Sequence, residues 1–239
     1  LILSILFIVS CLVVLQLSLF SEDLGPGEIT GSVNTPEFIA DKKNRQLAAF
    51  NSLNESPTKQ ILFGDLHVHS TFSADAQMMS LPITGGNGVH PVADACDFAR
   101  HCSALDFWSI NDHAEASTPK RWQETKETIR KCNALNLDPA NPDCVAFLGW
   151  EWTQVGVIRA NHWGHHNVIL KEEDDDLVPP RAIASLSITR QAMTTRPLLP
   201  QTLFPFVDFA NFKRYNDSYR YAKETVKVPD CDLRTPSIE

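Results

Sequence analysis

The chain has no Cys-x-x-Cys pair among its six cysteines, no surplus of positive charge, and no charged residue in its first twenty positions. Each absence excludes something. Without closely paired cysteines, a thiolate zinc module is not expected to organise the fold. With 21 Lys and Arg against 29 Asp and Glu, the net charge is -8 and the pI ≈ 5.5. Such a chain does not neutralise a phosphate backbone, so neither DNA nor RNA is expected as a partner. The uncharged run over residues 1–20, LILSILFIVSCLVVLQLSLF, would extend about 30 Å as a helix and reads as a signal peptide or signal anchor. Membrane contact is expected through that segment alone, and the protein is expected to be exported.

What is present divides the chain into three. Residues 1–24 are the leader. Residues 25–60 are interrupted by Gly25, Pro26, Gly27, Gly31, Pro36 and Pro57 and read as a linker, with a short helix over 41–50. Residues 61–239 are the globular domain, in a chain whose 43% hydrophobic content suffices for one core. In an oxidising compartment one disulfide is plausible, and Cys102 with Cys132 is the expected pair.

The stretch Ile61 to Asp75, ILFGDLHVHSTFSAD, concentrates metal-ligand residues behind strand-forming ones. Ile61, Leu62 and Phe63 suggest a buried strand. Asp65, His67 and His69 alternate with Leu66 and Val68, so a period of two places all three polar groups on one face. Imidazoles beside a carboxylate suit zinc, iron or manganese. Two later apolar runs repeat the arrangement: Leu105 to Asn111 leads into Asp112-His113 and Glu115, and Cys144 to Leu148 ends in Gly149-Trp150-Glu151-Trp152. In parallel α/β folds, functional groups collect at the C-terminal ends of strands. Between these runs lie two helical patterns, one carrying Val92, Ala95, Ala99 and Cys102 on a face, the other starting at Ser117-Thr118-Pro119 with Trp122, Thr125, Ile129 and Cys132 on a stripe. A fourth strand is expected over Gly164 to Leu170. Alternating strands and helices predict a mainly parallel sheet. The five acids from Glu172 to Asp176 read as a solvated loop. Phe206, Phe209, Phe212, Tyr215 and Tyr219 fall at helical spacing.

The motifs DLHVHSTFSAD, NDH and GWEW resemble the polymerase and histidinol phosphatase (PHP) superfamily, and FWSINDHAE, FLGWEWTQ and GHHNVI are similar to an exported branch of PHP-like proteins. The resemblance implies an α/β fold, a distorted (β/α)7 TIM-like barrel of which this chain holds the first half. It implies a cluster of two or three divalent ions (Zn, Mn or Fe) with His67, His69, Asp75, His113, Glu151 and His165 as ligands. His162 and His166 are alternatives to His165. Glu151, His113 and Asp65 are the candidates for acid–base work, and Asp65 with Asp112 would orient histidines. Such domains complete their cluster with a late Asp-x-His pair. None follows residue 170, which implies an N-terminal fragment. The expected reaction is hydrolysis of a small phosphorylated or ester substrate, with Arg100, Arg121 or Arg159 as possible aids to anion binding. Two competing readings are an amidohydrolase-type deacylase, which would need a bridging lysine on a middle strand, and an exported non-catalytic module holding a structural metal.

Overall fold

The computed structural model describes residues 2–19, 25–52, 61–73, 75–76, 90–156 and 158–185. The aromatic stripe beyond Phe206 lies outside the described residues. Helix α1 (Ile2–Leu19) covers the expected leader. Among the described residues no helix is long and apolar enough to cross a membrane.

Helix α2 (Pro36–Asn51) begins where Thr35 caps it, its side chain accepting from the Phe38 amide, with proline in the first turn. The segment read as a linker is tied to the rest of the fold. Lys42 Nζ reaches the carbonyls of Leu105 and Asp143 at 3.0 and 2.9 Å and pairs with Asp106 at 2.8 Å. Gln46 donates to the same carboxylate. Further upstream, Asp97 accepts from the Thr30 amide and hydroxyl and from the Gly31 amide.

Four strands form one sheet in the order β1 (Gly64–Val68), β2 (Phe107–Ile110), β3 (Val145–Gln154) and β4 (Gly164–Leu170). The first three are parallel, and β4 is antiparallel to β3 over seven residue pairs. The sheet curls into a half-barrel: Asn167 on β4 donates to the Leu66 carbonyl on β1 at 2.8 Å, although these strands stand at opposite ends of the order. Gly149 permits that curl, since a Cβ there would lie 2.4 Å from the Val168 carbonyl.

Two expectations are corrected here. Ile61, Leu62 and Phe63 are exposed, because β1 enters the sheet only at Gly64, whose missing side chain leaves room for the Phe107 ring. The Gly-Trp-Glu-Trp segment does not follow a strand end but lies inside β3. The sheet is mainly parallel as expected, and β4 returns antiparallel to β3 because a short connection suffices for that.

Helices α3 (Val92–Asp97) and α4 (Pro119–Asn133) cover the outer face. Thr118 caps α4 by accepting from the Arg121 amide at 3.2 Å, and the expected stripe of Trp122, Thr125, Ile129 and Cys132 is buried. On α3 the buried residues are Val92, Ala93 and Cys96. A π-helical turn over Phe98–Cys102 follows, and Cys102 is exposed. The disulfide therefore joins Cys96 and Cys132, whose Cα atoms are 6.0 Å apart, and not Cys102 and Cys132. Trp150 stacks edge-on against Trp122 within this core.

The acidic run is more than a solvated loop. Asp175 pairs with Lys126 and Arg130, and Glu173 bonds with Arg130 and Asn133, fastening the segment to α4.

Candidate metal centre

The inner face of β3 carries Glu151 and Thr153, which alternate with Trp150 and Trp152 on the opposite side. Pairing with β4 sets Thr153 opposite His165 and Glu151 opposite Asn167, so His165 shares the inner face. His166 is turned away, against Trp152, and bonds to the Trp163 carbonyl; His162 bonds to the Gly156 carbonyl. Register thus selects His165 among the histidines of this segment.

On β1 and just beyond its end, His67 Nε2 and His69 Nε2 lie 2.9 and 2.8 Å from Glu151 Oε2. His113, which follows β2 and bridges to Glu151 in parallel fashion, has Nε2 at 3.3 Å from Asp75 Oδ2 and 3.8 Å from Glu151 Oε2. His165 Nδ1 contacts Glu151 Oε1. All six expected ligands come together as three overlapping groups: His67, His69 and Glu151; His69, Asp75 and His113; His113, Glu151 and His165. Within each group the donor atoms lie within 4.8 Å of one another. These groups could hold metal ions. The floor is buried, with Glu151 at 2% exposure, while the His67 and His165 side chains on the rim are 55% and 51% exposed.

Asp65 does not join them. One extra residue in β1 between Asp65 and Val68 breaks the alternation: Asp65 is in register with Trp108 and Val68 with Ile110. A bulge of this kind re-aims side chains; Asp65 lines the same cleft as His67 and His69 but belongs to none of the three ligand groups. Asp65 instead accepts from the His67 amide at 2.9 Å. Asp112 is buried and takes the Ser70 amide and hydroxyl at 2.6 and 2.7 Å, anchoring the turn after His69. Of the arginines considered for anion binding, Arg100 is buried against Asp143, Arg121 donates to the Ala116 carbonyl, and Arg159 is exposed.

Charge is balanced inside the cluster. Burial alone would raise the Glu151 carboxyl, but the His67 hydrogen bond, the His113 charge and the His165 hydrogen bond outweigh it and hold it below the ordinary range. Asp75 is likewise held low against its burial by bonds from His113, His69 and Ser73. Burial lowers His69 and His113, yet Asp75 more than compensates and both are raised. Asp112 is pushed up by burial, which its bonds from Ser70 only partly offset.

The donor set fits a divalent ion on an observation independent of motif. His69 Nε2 is buried and makes no hydrogen bond despite lying 2.8 Å from Glu151 Oε2. Hydrogen bonding therefore does not account for the close approach, whereas His69 and Glu151 are both of a type that would hold a divalent ion.

Two buried hydroxyls were not singled out by sequence. Ser73 contacts His69, Asp75 and the His113 amide. Thr153 contacts His113 Nδ1 at 2.8 Å and His165 Nδ1 at 3.2 Å. Their signal was spacing: each lies two residues from a ligand carboxylate. Glu115 is buried 3.8 Å from His113 Nδ1. Compared with family models, with curated proteins and with solved structures, the chain matches none.

Proposed function

We propose that the chain is a metal-dependent hydrolase, a phosphoesterase of PHP type, acting on a small phosphorylated or ester substrate. The observation that carries this reading is the convergence of four imidazoles and two carboxylates from β1 and the segment after it, from the loop after β2, and from β3 and β4. Glu151 and the three overlapping groups would hold two or three divalent ions. Such ions supply Lewis acidity and make water easier to ionise, the chemistry that hydrolysis requires.

The chain's own residues set the rest. The Glu151 charge, buried and kept ionised, faces the ions from the floor. The exposed rim at His67 and His165 admits water and substrate, as a closed structural site would not. A cleft of about 960 Å³ opens beside His67 and His69, walled by His90, Phe98, Leu105 and Trp108, a size suited to a small molecule. β3 carries no lysine, which favours the phosphoesterase over the amidohydrolase-type reading. The Cys96–Cys132 disulfide supports export to an oxidising compartment, with residues 1–20 as leader.

The test is metal analysis of the full chain, followed by a screen of phosphomonoesters and phosphodiesters against amides. The expected result is more than one ion per chain and ester hydrolysis that His67→Ala and His69→Ala both abolish while the protein stays folded. Full metal content in both variants would overturn the assignment.

A further inference from the structure

Ser73 is completely buried between the end of β1 and the His113 loop. Its hydroxyl has three polar neighbours: Asp75 Oδ1 at 2.6 Å, the His113 amide at 3.1 Å and His69 Nδ1 at 3.1 Å. A hydroxyl offers one proton and two lone pairs. The amide can only donate, so it takes one lone pair. An ionised carboxylate can only accept, so Asp75 takes the proton. The remaining lone pair meets His69 Nδ1, which must therefore be N–H. Asp75 Oδ1, at 3.4 Å from the same nitrogen, demands the same proton. On the far side of the ring, Nε2 is buried, free of hydrogen bonds and 2.8 Å from Glu151 Oε2.

We infer that Ser73 is a positioning residue: it fixes neutral His69 as the Nδ1–H tautomer, so that the Nε2 lone pair is presented toward Glu151. Its purpose rests on the metal-dependent reading above, but the tautomer itself does not. Thr153 differs. Its single proton has several competing acceptors, Glu151 Oε1 at 3.4 Å among them, so its contacts do not force one state on His113 or His165.

Imidazole nitrogen NMR on the full chain at mildly alkaline pH, metal-free and zinc-loaded, tests this, with His69→Gln assigning the signals. The expected wild-type spectrum has a protonated Nδ1 and an unprotonated Nε2 on His69 already in the metal-free protein. Ser73→Ala should mix the tautomers and weaken zinc binding, read by chelator competition, about 10- to 100-fold. Ser73→Thr, which restores the hydroxyl, should recover both. An Nε2–H tautomer in the wild type overturns the inference, and that spectrum decides the matter if Ser73→Ala does not fold. Unchanged tautomer and affinity in a folded Ser73→Ala also overturn it. If the wild type shows the expected tautomer but binds no zinc, the metal-dependent reading falls and the role of Ser73 stands.

Discussion

Glu151 is held at 2% exposure with imidazoles of His67, His69 and His165 within ion-pair distance, a placement that is costly for a carboxylate unless positive charge compensates it. Glu151→Gln keeps the volume and removes the charge. The expected outcome is loss of at least one metal ion per chain and a fall in kcat of at least about 10²-fold, roughly 2.7 kcal/mol of transition-state stabilisation. Elemental analysis beside steady-state kinetics checks this, and a Gln variant with full metal and normal turnover would make Glu151 structural. His166→Ala should leave metal content unchanged, because register with Trp152 turns that ring out of the cluster; an equal loss from His166→Ala would mean the strand pairing is wrong. The candidate ligands His67, His69, His113 and Glu151 were legible because metal-ligand residue types follow successive apolar runs, whereas Asp75 was legible only through the family resemblance. The family resemblance already favoured His165 over its neighbours, but the physical reason, the β3–β4 register, is in no single-strand periodicity. Asp65 stands outside the three ligand groups, and the bulge beside it is a one-residue event that alternation does not reveal. Ser73 passed unnoticed because a serine in a turn has an ordinary explanation.

The helices are positioned by two local fastenings, each with its own test. The Cys96–Cys132 bridge closes a loop with a sequence separation of 36, for which the chain-entropy model gives about 4 kcal/mol. Cys96→Ser should therefore cost about 2–4 kcal/mol in denaturant unfolding, while Cys102→Ser, at an exposed free thiol, should stay within about 0.5 kcal/mol. The reverse ranking would restore the pairing expected from sequence, which failed because the π-helical turn alters the helical phase after Asp97. The second fastening is Asp97. Its partial burial would raise the carboxyl, but bonds from the Thr30 amide and hydroxyl and the Gly31 amide lower it below its ordinary 3.8. A carboxyl lowered in the folded state adds stability above its unfolded pKa and loses it as pH falls through the folded value. The stability gap between wild type and Asp97→Asn should thus be full near neutrality, shrink once the pH drops below about 4, and close in stronger acid. A gap independent of pH would show that the carboxylate's charge contributes nothing there. The helix start at Thr118 was legible from proline and hydroxyl chemistry, but the helix capped by Thr35 was expected only from residue 41 because Pro36 read as a linker break, and the docking of residues 25–52 depends on distant partners such as Asp106 and Asp143 that local pattern cannot supply.

At the scale of the molecule, the cluster sits where the curled sheet brings distant segments together: His67 comes from β1, His69 from the position just after it, Asp75 from a helical turn, His113 from the loop after β2, Glu151 from β3 and His165 from β4. The parallel half of this architecture was legible from alternating strands and helices; its curl was implied only by the barrel resemblance, since it depends on Gly149 admitting the Val168 carbonyl and on Asn167 reaching back to Leu66. An ion bound here would tie both ends of the sheet to its centre, so its binding energy would also be folding energy. In the unfolded chain the same six side chains are spread from residue 67 to residue 165 and do not form a site. A ligand that binds only the folded state stabilises it by about 2.7 kcal/mol at a hundredfold excess over its Kd. For a domain of this size that corresponds to a rise in Tm of about 5–10 °C. Zinc should therefore raise the Tm of the wild type by that amount over a chelator-treated sample, and by only a small fraction of it in Glu151→Gln, where the ligand shared by two of the groups has lost its charge. Differential scanning calorimetry at fixed protein concentration provides the comparison. An equal rise in both proteins would mean that zinc stabilises the fold from somewhere other than this cluster, and the centre would lose its claim to organise the molecule.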